Sequence, residues 1–229
     1  MGVPLHMQVA RHPATSAVTA LLVGVWLRLL SGGVAPAAVG MSYQRCVAER
    51  QWWRAVAAQV AHLDLLHIVL NVSSLWGLAD GAEPAGRAGA SADYLRTSCL
   101  LLLASAAICL ALTRGALSFP ALERLRHTTM VGYSCVLFGW MALLAARAPA
   151  GHRGGFNLLG LATVPMAAAP FLLLAITQLI IPNASFLGHL SGILAGLLMA
   201  SGALDWLTPY WTACLAFWAA VAQYAAFTP

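Results

Sequence analysis

Polar side chains lie in three segments that are otherwise apolar enough to cross a membrane. HLDLLHIVLN carries His62, His67 and Asn71, VGYSCVLFGW carries Ser134, and FLGHLSGILAGLL carries His189. Burying an imidazole or an amide in hydrocarbon costs several kcal/mol unless the group has a partner, which indicates that the chain uses these residues. A hydroxyl, an imidazole and an amide on three segments predict a nucleophile, its general base and an oxyanion-binding group, the parts that acyl transfer requires.

The stretch HLDLLHIVLN, interpreted as a helix, separates its polar residues by face. At about 100° per residue, His67 and Asn71 are about 40° apart and share a face, so both are predicted to serve one site. His62 points elsewhere, about 140° from His67, and is predicted to have a structural role, such as fixing the helix start to the preceding loop. Asp64 either orients an imidazole or is simply solvated, and its position near the membrane surface favours the second.

Ser134 falls in the first turn of its predicted helix, where backbone N–H groups have no intrahelical partner. These donors and the positive end of the helix dipole favour an anion, such as the tetrahedral intermediate of acyl transfer. Donors from His67 and Asn71 would complete the oxyanion-binding site, and Gly132 leaves the backbone exposed on the approach side. The alternative is that the Ser134 hydroxyl bonds back to a carbonyl of its own helix.

His189 shares a helix face with Gly192 and Gly196, and small residues at this spacing let a neighbouring helix approach to backbone contact. If that neighbour is the helix of Ser134, the imidazole reaches the hydroxyl and serves as its general base. Phe138, one turn after Ser134, is predicted to pack against the imidazole ring. Alternatively, His189 is a hydrogen-bonded histidine with a structural role only.

The composition places these segments in a membrane. Apolar residues make up 61% of the 229 residues and charged residues 8%, against about 25% in soluble domains, which excludes an ordinary soluble protein. The arginines are scattered at segment ends, as expected of residues that flank spans and unlike a patch that binds nucleic acid. Five cysteines without a CxxC pair predict packing residues rather than a disulfide scaffold or a zinc site, and no metal or cofactor is expected.

Windows of about 20 apolar residues predict six transmembrane helices, at about 14–30, 55–78, 95–112, 130–146, 156–181 and 185–204. The fifth is interrupted by Pro165 and Pro170. Residues 209–227 form either a seventh span or a helix lying along the interface. The predicted fold class is all-α, a polytopic membrane helix bundle in a single domain over 1–229, with a core at about 53–204 and a C-terminal helix at 205–229. A cytoplasmic N-terminus puts five arginines inside and seven outside, so the positive-inside rule leaves the orientation open.

The motifs together resemble the rhomboid intramembrane serine proteases, over about 53–196. Trp53-Arg54 is similar to the Trp-Arg element of that family, and HLDLLHIVLN to its HxxxxHxxxN motif. GYSC stands where the family has GxSG, and GHLSGILAG resembles the HxxGxxxG helix that carries the catalytic histidine. The motifs also follow the family order on the second, fourth and sixth spans.

The resemblance implies a rhomboid-type helix bundle with Ser134 as nucleophile, His189 as base and no required carboxylate. It implies that His67, Asn71 and the Ser134 N–H bind the oxyanion, with Gly132 and Phe138 in the same site, and that His62, Trp53 and Arg54 are structural. The implied substrates are transmembrane proteins within the lipid bilayer, and the N-terminus is cytosolic. One departure is Cys135, which replaces the glycine after the nucleophile and is predicted to crowd the substrate or narrow the oxyanion hole.

Two other functions compete with proteolysis. A non-catalytic rhomboid-like protein would bind single-span clients for quality control or trafficking, with no chemical need for the complete Ser-His and oxyanion set. A transporter with a histidine relay is a weaker alternative, because the sequence has no visible inverted repeat and no carboxylate at a span centre. The predicted location is an endomembrane (Golgi or ER) or the plasma membrane, and the sequence does not define the oligomeric state.

Overall fold

The computed structural model describes residues 4–62, 64–148, 156–158, 162–181 and 184–227, and these are predominantly helical. The helices in chain order are Leu5–Arg11 (α1), Pro13–Ser31 (α2), Pro36–Val39 (α3), Arg54–Val60 (α4), Leu65–Ala82 (α5), Ala90–Ala116 (α6), Ser134–Arg147 (α7), Ala169–Ile180 (α8), Phe186–Ala200 (α9) and Pro209–Phe227 (α10). A π-helical turn spans Gln44–Ala48, and 3-10 turns span Pro120–Arg126 and Met166–Ala168. This architecture confirms the prediction of a helical membrane bundle.

Helices α2, α5 and α6 are long and apolar enough to cross a membrane. Helices α7, α8 and α9 are also apolar but have only 14, 12 and 15 residues. Helix α5 shows how such a helix divides its faces: it buries Ile68 and Leu75 in the bundle and exposes Leu66, Val69 and Leu70. Large apolar side chains on the outside of the bundle are what a lipid environment requires, and the chain is a multi-pass membrane protein.

Helices α7 and α9 pack against each other at the centre of the bundle, with backbone in direct contact. A Cβ added at Gly192 would lie 2.1 Å from the Cys135 carbonyl oxygen, and one added at Gly196 would lie 2.1 Å from that of Gly139. Only glycine allows this approach, as in small-residue contacts between membrane helices generally. The spacing of Gly192 and Gly196 therefore fixes which face of α9 meets α7.

Helix α6 packs against both helices of this central pair. The Tyr94 ring stacks on Trp140 of α7 at a centroid distance of 5.5 Å, and the Trp140 Nε1–H donates to Ser98 Oγ at 3.0 Å. Gln59 of α4 is buried and donates to the Leu102 carbonyl of α6 at 2.8 Å. These bonds satisfy polar groups that are costly to leave unpaired in a membrane interior, and they hold α4, α6 and α7 in register.

The second predicted span, at about 55–78, is not one helix. Helix α4 ends at Val60, and α5 begins at Leu65. Asp64 has an extended backbone and caps α5, since its Oδ1 accepts the His67 N–H at 2.7 Å. A carboxylate at this position satisfies an orphan N–H and favours a helix start, which breaks the apolar run. His62 therefore lies outside the helix, and the angle of about 140° predicted for it from helical spacing is wrong.

The fifth predicted span, at about 156–181, is also shorter than expected. Residues Phe156–Leu158 (β1) and Ala162–Val164 (β2) pair as antiparallel strands, with Phe156 opposite Val164. Helix α8 begins only at Ala169, with Pro170 in its first turn. Proline is well tolerated there because the N–H it lacks would have no partner anyway. Pro165 and Pro170 thus precede or open the helix instead of interrupting it.

A buried glutamate fastens the start of α2 to the end of α5. Glu83 is 1% exposed and accepts the backbone N–H groups of Ala14 and Thr15 at 2.9 and 2.8 Å. Hydroxyl protons from Thr15 and Ser91 complete the set at 2.8 and 2.6 Å. Burial raises the pKa of Glu83, but these hydrogen bonds outweigh it and hold the pKa below the ordinary carboxyl value.

We expect Glu83→Gln to lower the stability of the bundle by about 2 kcal/mol. Both carboxylate oxygens of Glu83 accept hydrogen bonds. A glutamine amide, in either orientation, replaces one of these oxygens by an NH2 group, and the donors on that side lose their acceptor. Thermal unfolding in detergent micelles measures the loss, and the exposed, ion-paired Glu123→Gln is the matched control. Because the folded pKa is lowered, the Glu83 contribution is complete above the ordinary pKa of about 4.3 and is lost as the pH falls through the lower folded value. An equal change in both variants would contradict this account.

Candidate active site

Ser134 and His189 lie within hydrogen-bonding distance at the meeting point of α7 and α9. Ser134 is the first residue of α7, and His189 lies in the first turn of α9, which Ser185 caps by accepting the Gly188 N–H at 3.0 Å. The distance from Ser134 Oγ to His189 Nε2 is 2.9 Å. When the serine hydroxyl donates to Nε2, as a general base requires, the other ring nitrogen carries the proton.

The His189 ring is held by packing. The Phe138 ring stacks on it with centroids 4.5 Å apart and planes 24° from parallel. Nδ1 of His189 is buried and has no hydrogen-bond partner among the described residues. In the described part of the chain the pair is therefore a serine and a histidine without a carboxylate, and an aromatic face lies where it can stabilise a charged imidazole ring.

Gly132 and His67 form the second part of the site, two residues before the serine. Gly132 has φ +112°, and a Cβ there would lie 2.5 Å from Cε1 and Nε2 of His67. Its N–H donates to the Ala58 carbonyl of α4 at 2.8 Å. The missing side chain lets the imidazole of α5 rest against the segment that leads into Ser134, which brings His67 to the nucleophile.

His62 and Asn71 lie beside His67. The rings of His62 and His67 are 4.9 Å apart, and His62 Nε2 accepts the Tyr133 N–H at 3.3 Å. Asn71 is buried, and its Nδ2 donates to the His67 carbonyl at 2.9 Å, which leaves its second amide proton for another acceptor. His62 thus fixes the backbone next to Ser134, whereas His67 and Asn71 share one face of α5.

Backbone donors complete the arrangement at the start of α7. The first N–H groups of a helix have no intrahelical partner, and Ser134 and Cys135 occupy these positions. The His67 ring lies against Gly132, two residues before Ser134, and Asn71 is buried one helical turn further along α5. Free N–H donors at a helix N-terminus suit a negatively charged oxygen.

Trp53 and Arg54 do not join this cluster. The Arg54 guanidinium lies over the Trp53 ring at 4.6 Å and donates to the carbonyls of Ala37 and Gly40 at 2.9 and 3.1 Å. They connect the start of α4 with α3 and the residue after it. A structural role for Trp53 and Arg54 stays a prediction.

The sequence interpretation missed a backbone bridge that holds the segment before Ser134. Met41 and Met130 exchange both backbone hydrogen bonds, at 2.9 and 2.8 Å. Two isolated residues far apart in the chain leave no periodic pattern, so no signal in the sequence indicates their pairing. The bridge fixes residues 130–134 from the loop side while the Ala58 carbonyl fixes them from α4.

The comparison with protein families is consistent with this geometry. The Rhomboid domain model matches residues 49–205, more than half of the chain. The chain belongs to the rhomboid family. The match includes every residue of the site described above, and it begins after α2.

Several curated rhomboid proteins resemble this rhomboid. Rhomboid-like protein 15 of Arabidopsis thaliana is 30% identical over 69% of the chain and 38% of its own length. Rhomboid-related protein 4 of Homo sapiens is 31% identical over 72% of the chain and 50% of its own length. Rhomboid-type serine protease 2 of Debaryomyces hansenii is 34% identical over 44% of the chain and 36% of its own length. This rhomboid thus spans half or less of the length of these relatives.

The Cys135 side chain of this rhomboid lies against the start of α9. Its Sγ lies 3.4 Å from the position of a Cβ at Gly188, between α7 and α9. The side chain fills part of the contact between the two helices. That Cys135 crowds the substrate or narrows the oxyanion hole stays a prediction.

If this rhomboid is a peptidase, we expect Gly132→Ala to reduce its turnover by about a hundredfold, the loss associated with a misplacement of about 1 Å in an active site. The new methyl group must displace the His67 ring, and it also forces a side chain into a left-handed backbone. Gly89→Ala separates these effects, because Gly89 has φ +77° but open space around it. Cleavage assays on both variants, with thermal unfolding as the measure of folding, test the expectation. Equal losses in both would assign the effect to backbone strain alone.

Proposed function

We propose that this rhomboid is an intramembrane serine endopeptidase that hydrolyses peptide bonds in or near transmembrane segments. The observation that carries the proposal is the 2.9 Å contact between Ser134 Oγ and His189 Nε2. A serine hydroxyl has little nucleophilicity until a base in direct contact accepts its proton. The surrounding N–H donors have no evident purpose in a protein that only binds its partners.

In the proposed reaction His189 takes the hydroxyl proton while Ser134 Oγ attacks the scissile carbonyl carbon. The carbonyl oxygen becomes an oxyanion and accepts hydrogen bonds from the Ser134 N–H, His67 and Asn71. The tetrahedral intermediate collapses, the C–N bond breaks, and protonated His189 gives its proton to the departing amine. A water molecule, deprotonated by His189, then attacks the acyl carbon, the bond from that carbon to Ser134 Oγ breaks, and His189 returns the proton to Oγ.

The charged imidazole ring formed in each step has no carboxylate beside it. Phe138 takes over two tasks that a carboxylate performs in a triad: its stacked ring fixes the orientation of His189, and its π face attracts the positive charge. The orienting contact and the π attraction both act on the His189 ring, so the face of Phe138 is part of the catalytic machinery under this proposal.

The substrates we propose are membrane proteins whose spans contain small or helix-weakening residues near the membrane boundary. A helical peptide bond has its carbonyl shielded and hydrogen-bonded, so the substrate must unwind before attack. Helix α8 is the proposed moving side of the site, because only Pro170 and Leu174 are buried among its described residues. Its exposed Phe171, Leu179 and Ile180 are compatible with a helix that separates easily from the bundle.

The proposed location is an endomembrane (Golgi or ER) or the plasma membrane. Insertion of α2, α5 and α6 in a bilayer follows from their length and composition. The compartment is tested by microscopy of a tagged chain against organelle markers.

The test of the proposed function is covalent labelling of the purified, detergent-solubilised protein by a serine-reactive fluorophosphonate. We expect labelling of the parent chain, none of Ser134→Ala and a strong reduction in His189→Ala, because the base must be present to activate the hydroxyl. Ser201→Ala, at an exposed serine that bonds to the Leu198 carbonyl, is the control. A folded parent that is not labelled, but co-purifies with single-span clients, would favour the non-catalytic alternative.

A further inference from the structure

A polar cavity of about 280 Å³ lies beside the bridge between Met41 and Met130. It is lined by Ala37, Ser42, Gln44, Arg45, Glu49, His127 and Thr129. Ser42 and Thr129 are the immediate neighbours of the bridged methionines in the chain. The cavity is therefore next to the segment that leads to Ser134, but it contains none of the proposed catalytic residues.

The cavity carries groups of both signs. The Arg45 side chain is 45% exposed, and its Nη1 lies 3.1 Å from Glu49 Oε2, so most of the guanidinium N–H groups remain for another acceptor. His127 and the hydroxyls of Ser42 and Thr129 add possible donors. A ligand with one anionic and one cationic group would match this lining better than a simple anion. The Glu49 carboxylate repels an anionic group of the ligand and attracts a cationic one.

The two loops that form the cavity are strongly basic. Residues 40–54 and 114–129 contain six arginines against two glutamates. Some of the arginines are already engaged: Arg54 is buried against backbone carbonyls, and Arg126 pairs with Glu123. The surplus of positive charge attracts phosphate groups to this end of the bundle.

Exposed aromatic side chains place this end at the membrane surface. Trp52 is 56% exposed and Phe119 is 63% exposed, one in each of the two loops. Aromatic side chains of this kind concentrate where hydrocarbon meets headgroups. Lipid headgroups are therefore the most abundant phosphate compounds at the depth of the cavity.

We propose that this cavity binds the phosphoethanolamine headgroup of a membrane phospholipid. The phosphate lies against Arg45 and His127, and the ammonium lies against Glu49. The acyl chains extend along the apolar outside of the bundle. A headgroup held between Ser42 and Thr129 braces the Met41–Met130 bridge and with it the backbone that leads to the nucleophile.

The experiment is native mass spectrometry of the delipidated, detergent-solubilised chain titrated with dioleoylphosphatidylethanolamine. Dioleoylglycerol has the same chains without the headgroup, and glycerophosphoethanolamine has the headgroup without the chains. We expect the phospholipid to be retained and both parts alone to bind at least about tenfold more weakly. Equal binding of glycerophosphoethanolamine would mean that a soluble compound is the ligand and would overturn the lipid assignment.

Two variants test the residues. Arg45→Gln is expected to weaken retention of the phospholipid about tenfold, since it removes a charge-assisted hydrogen bond. The matched control is Arg87→Gln, because Arg87 is 51% exposed, pairs with Asp93 at 2.9 Å and lies beyond the opposite end of α5. Glu49→Gln is expected to abolish the preference for phosphatidylethanolamine over phosphatidylglycerol.

Equal retention in Arg45→Gln and Arg87→Gln would overturn the proposal. So would binding of an acidic peptide at Arg45 by a chain that retains no phosphatidylethanolamine, which would make the cavity a recognition site for protein. The measurement does not involve proteolysis, so its result is independent of the proposed function.

Discussion

Ser134→Ala is expected to reduce cleavage of a single-span substrate by at least about a thousandfold. The change removes the attacking oxygen, whereas the N–H donors at the start of α7 and the substrate contacts remain. The stability of the bundle is expected to be nearly unchanged, because among the described residues the Oγ makes one side-chain hydrogen bond, that with His189 at 2.9 Å. The assay is appearance of the cleaved fragment after reconstitution in vesicles.

His189→Ala and the double variant sharpen this result. If the two residues act as one unit, each single change removes nearly the whole effect, and the double variant is no worse than either alone. The exposed Ser201→Ala controls for the loss of a serine. Cleavage at the parent rate by Ser134→Ala would exclude this residue as the nucleophile, whatever the distance between its oxygen and the histidine.

Gly192→Ala is expected to cost the bundle about 3 kcal/mol, at the upper end of what overpacking costs. The added methyl group would lie 2.1 Å from the Cys135 carbonyl oxygen, and a backbone oxygen inside a helix cannot turn aside as a flexible side chain can. Helix α9 must move away from α7, and His189 moves with it. Both the midpoint of thermal unfolding and fragment release should therefore fall.

Gly77→Ala is the matched control for this substitution. Gly77 lies within α5, and a Cβ there has nothing within 4 Å. Alanine is about 1 kcal/mol better than glycine in a helix interior, so this variant should be as stable as the parent or slightly more stable. If Gly192→Ala unfolds at the same temperature as Gly77→Ala, the close contact between α7 and α9 does not hold the bundle together.

The close packing of α9 against another helix could be predicted from the sequence because small residues at helical spacing indicate such a contact. Gly192 and Gly196 at helical spacing after His189 indicate a face that meets another backbone, and the resemblance to the rhomboid proteases implies α7 as the partner. A polytopic helix bundle follows from composition and from the apolar windows, and its rhomboid type follows from the resemblance of the motifs. Both depend on local patterns that are repeated along a helix.

Features that depend on single residues were not predictable in the same way. Asp64 breaks the second span because its carboxylate caps a helix, yet a carboxylate near the membrane surface is equally consistent with a solvated side chain. Glu83 finds its four donors on two other helices, and no spacing in the sequence connects residue 83 with residues 14 and 15. Prolines at 165 and 170 resemble interruptions of a span until the start of α8 is known.

The shortness of α7 determines what a cleaved protein would look like. Its 14 residues measure about 21 Å, roughly 9 Å less than the hydrocarbon core. Arg147 at its C-terminal end donates to the Met199 carbonyl, and an arginine there is expected at the headgroups, which would submerge the end with Ser134. Under the proposed activity, a domain released on that side would keep an apolar segment of about six residues, counted at the helical rise. Such a product would dissociate slowly from the membrane.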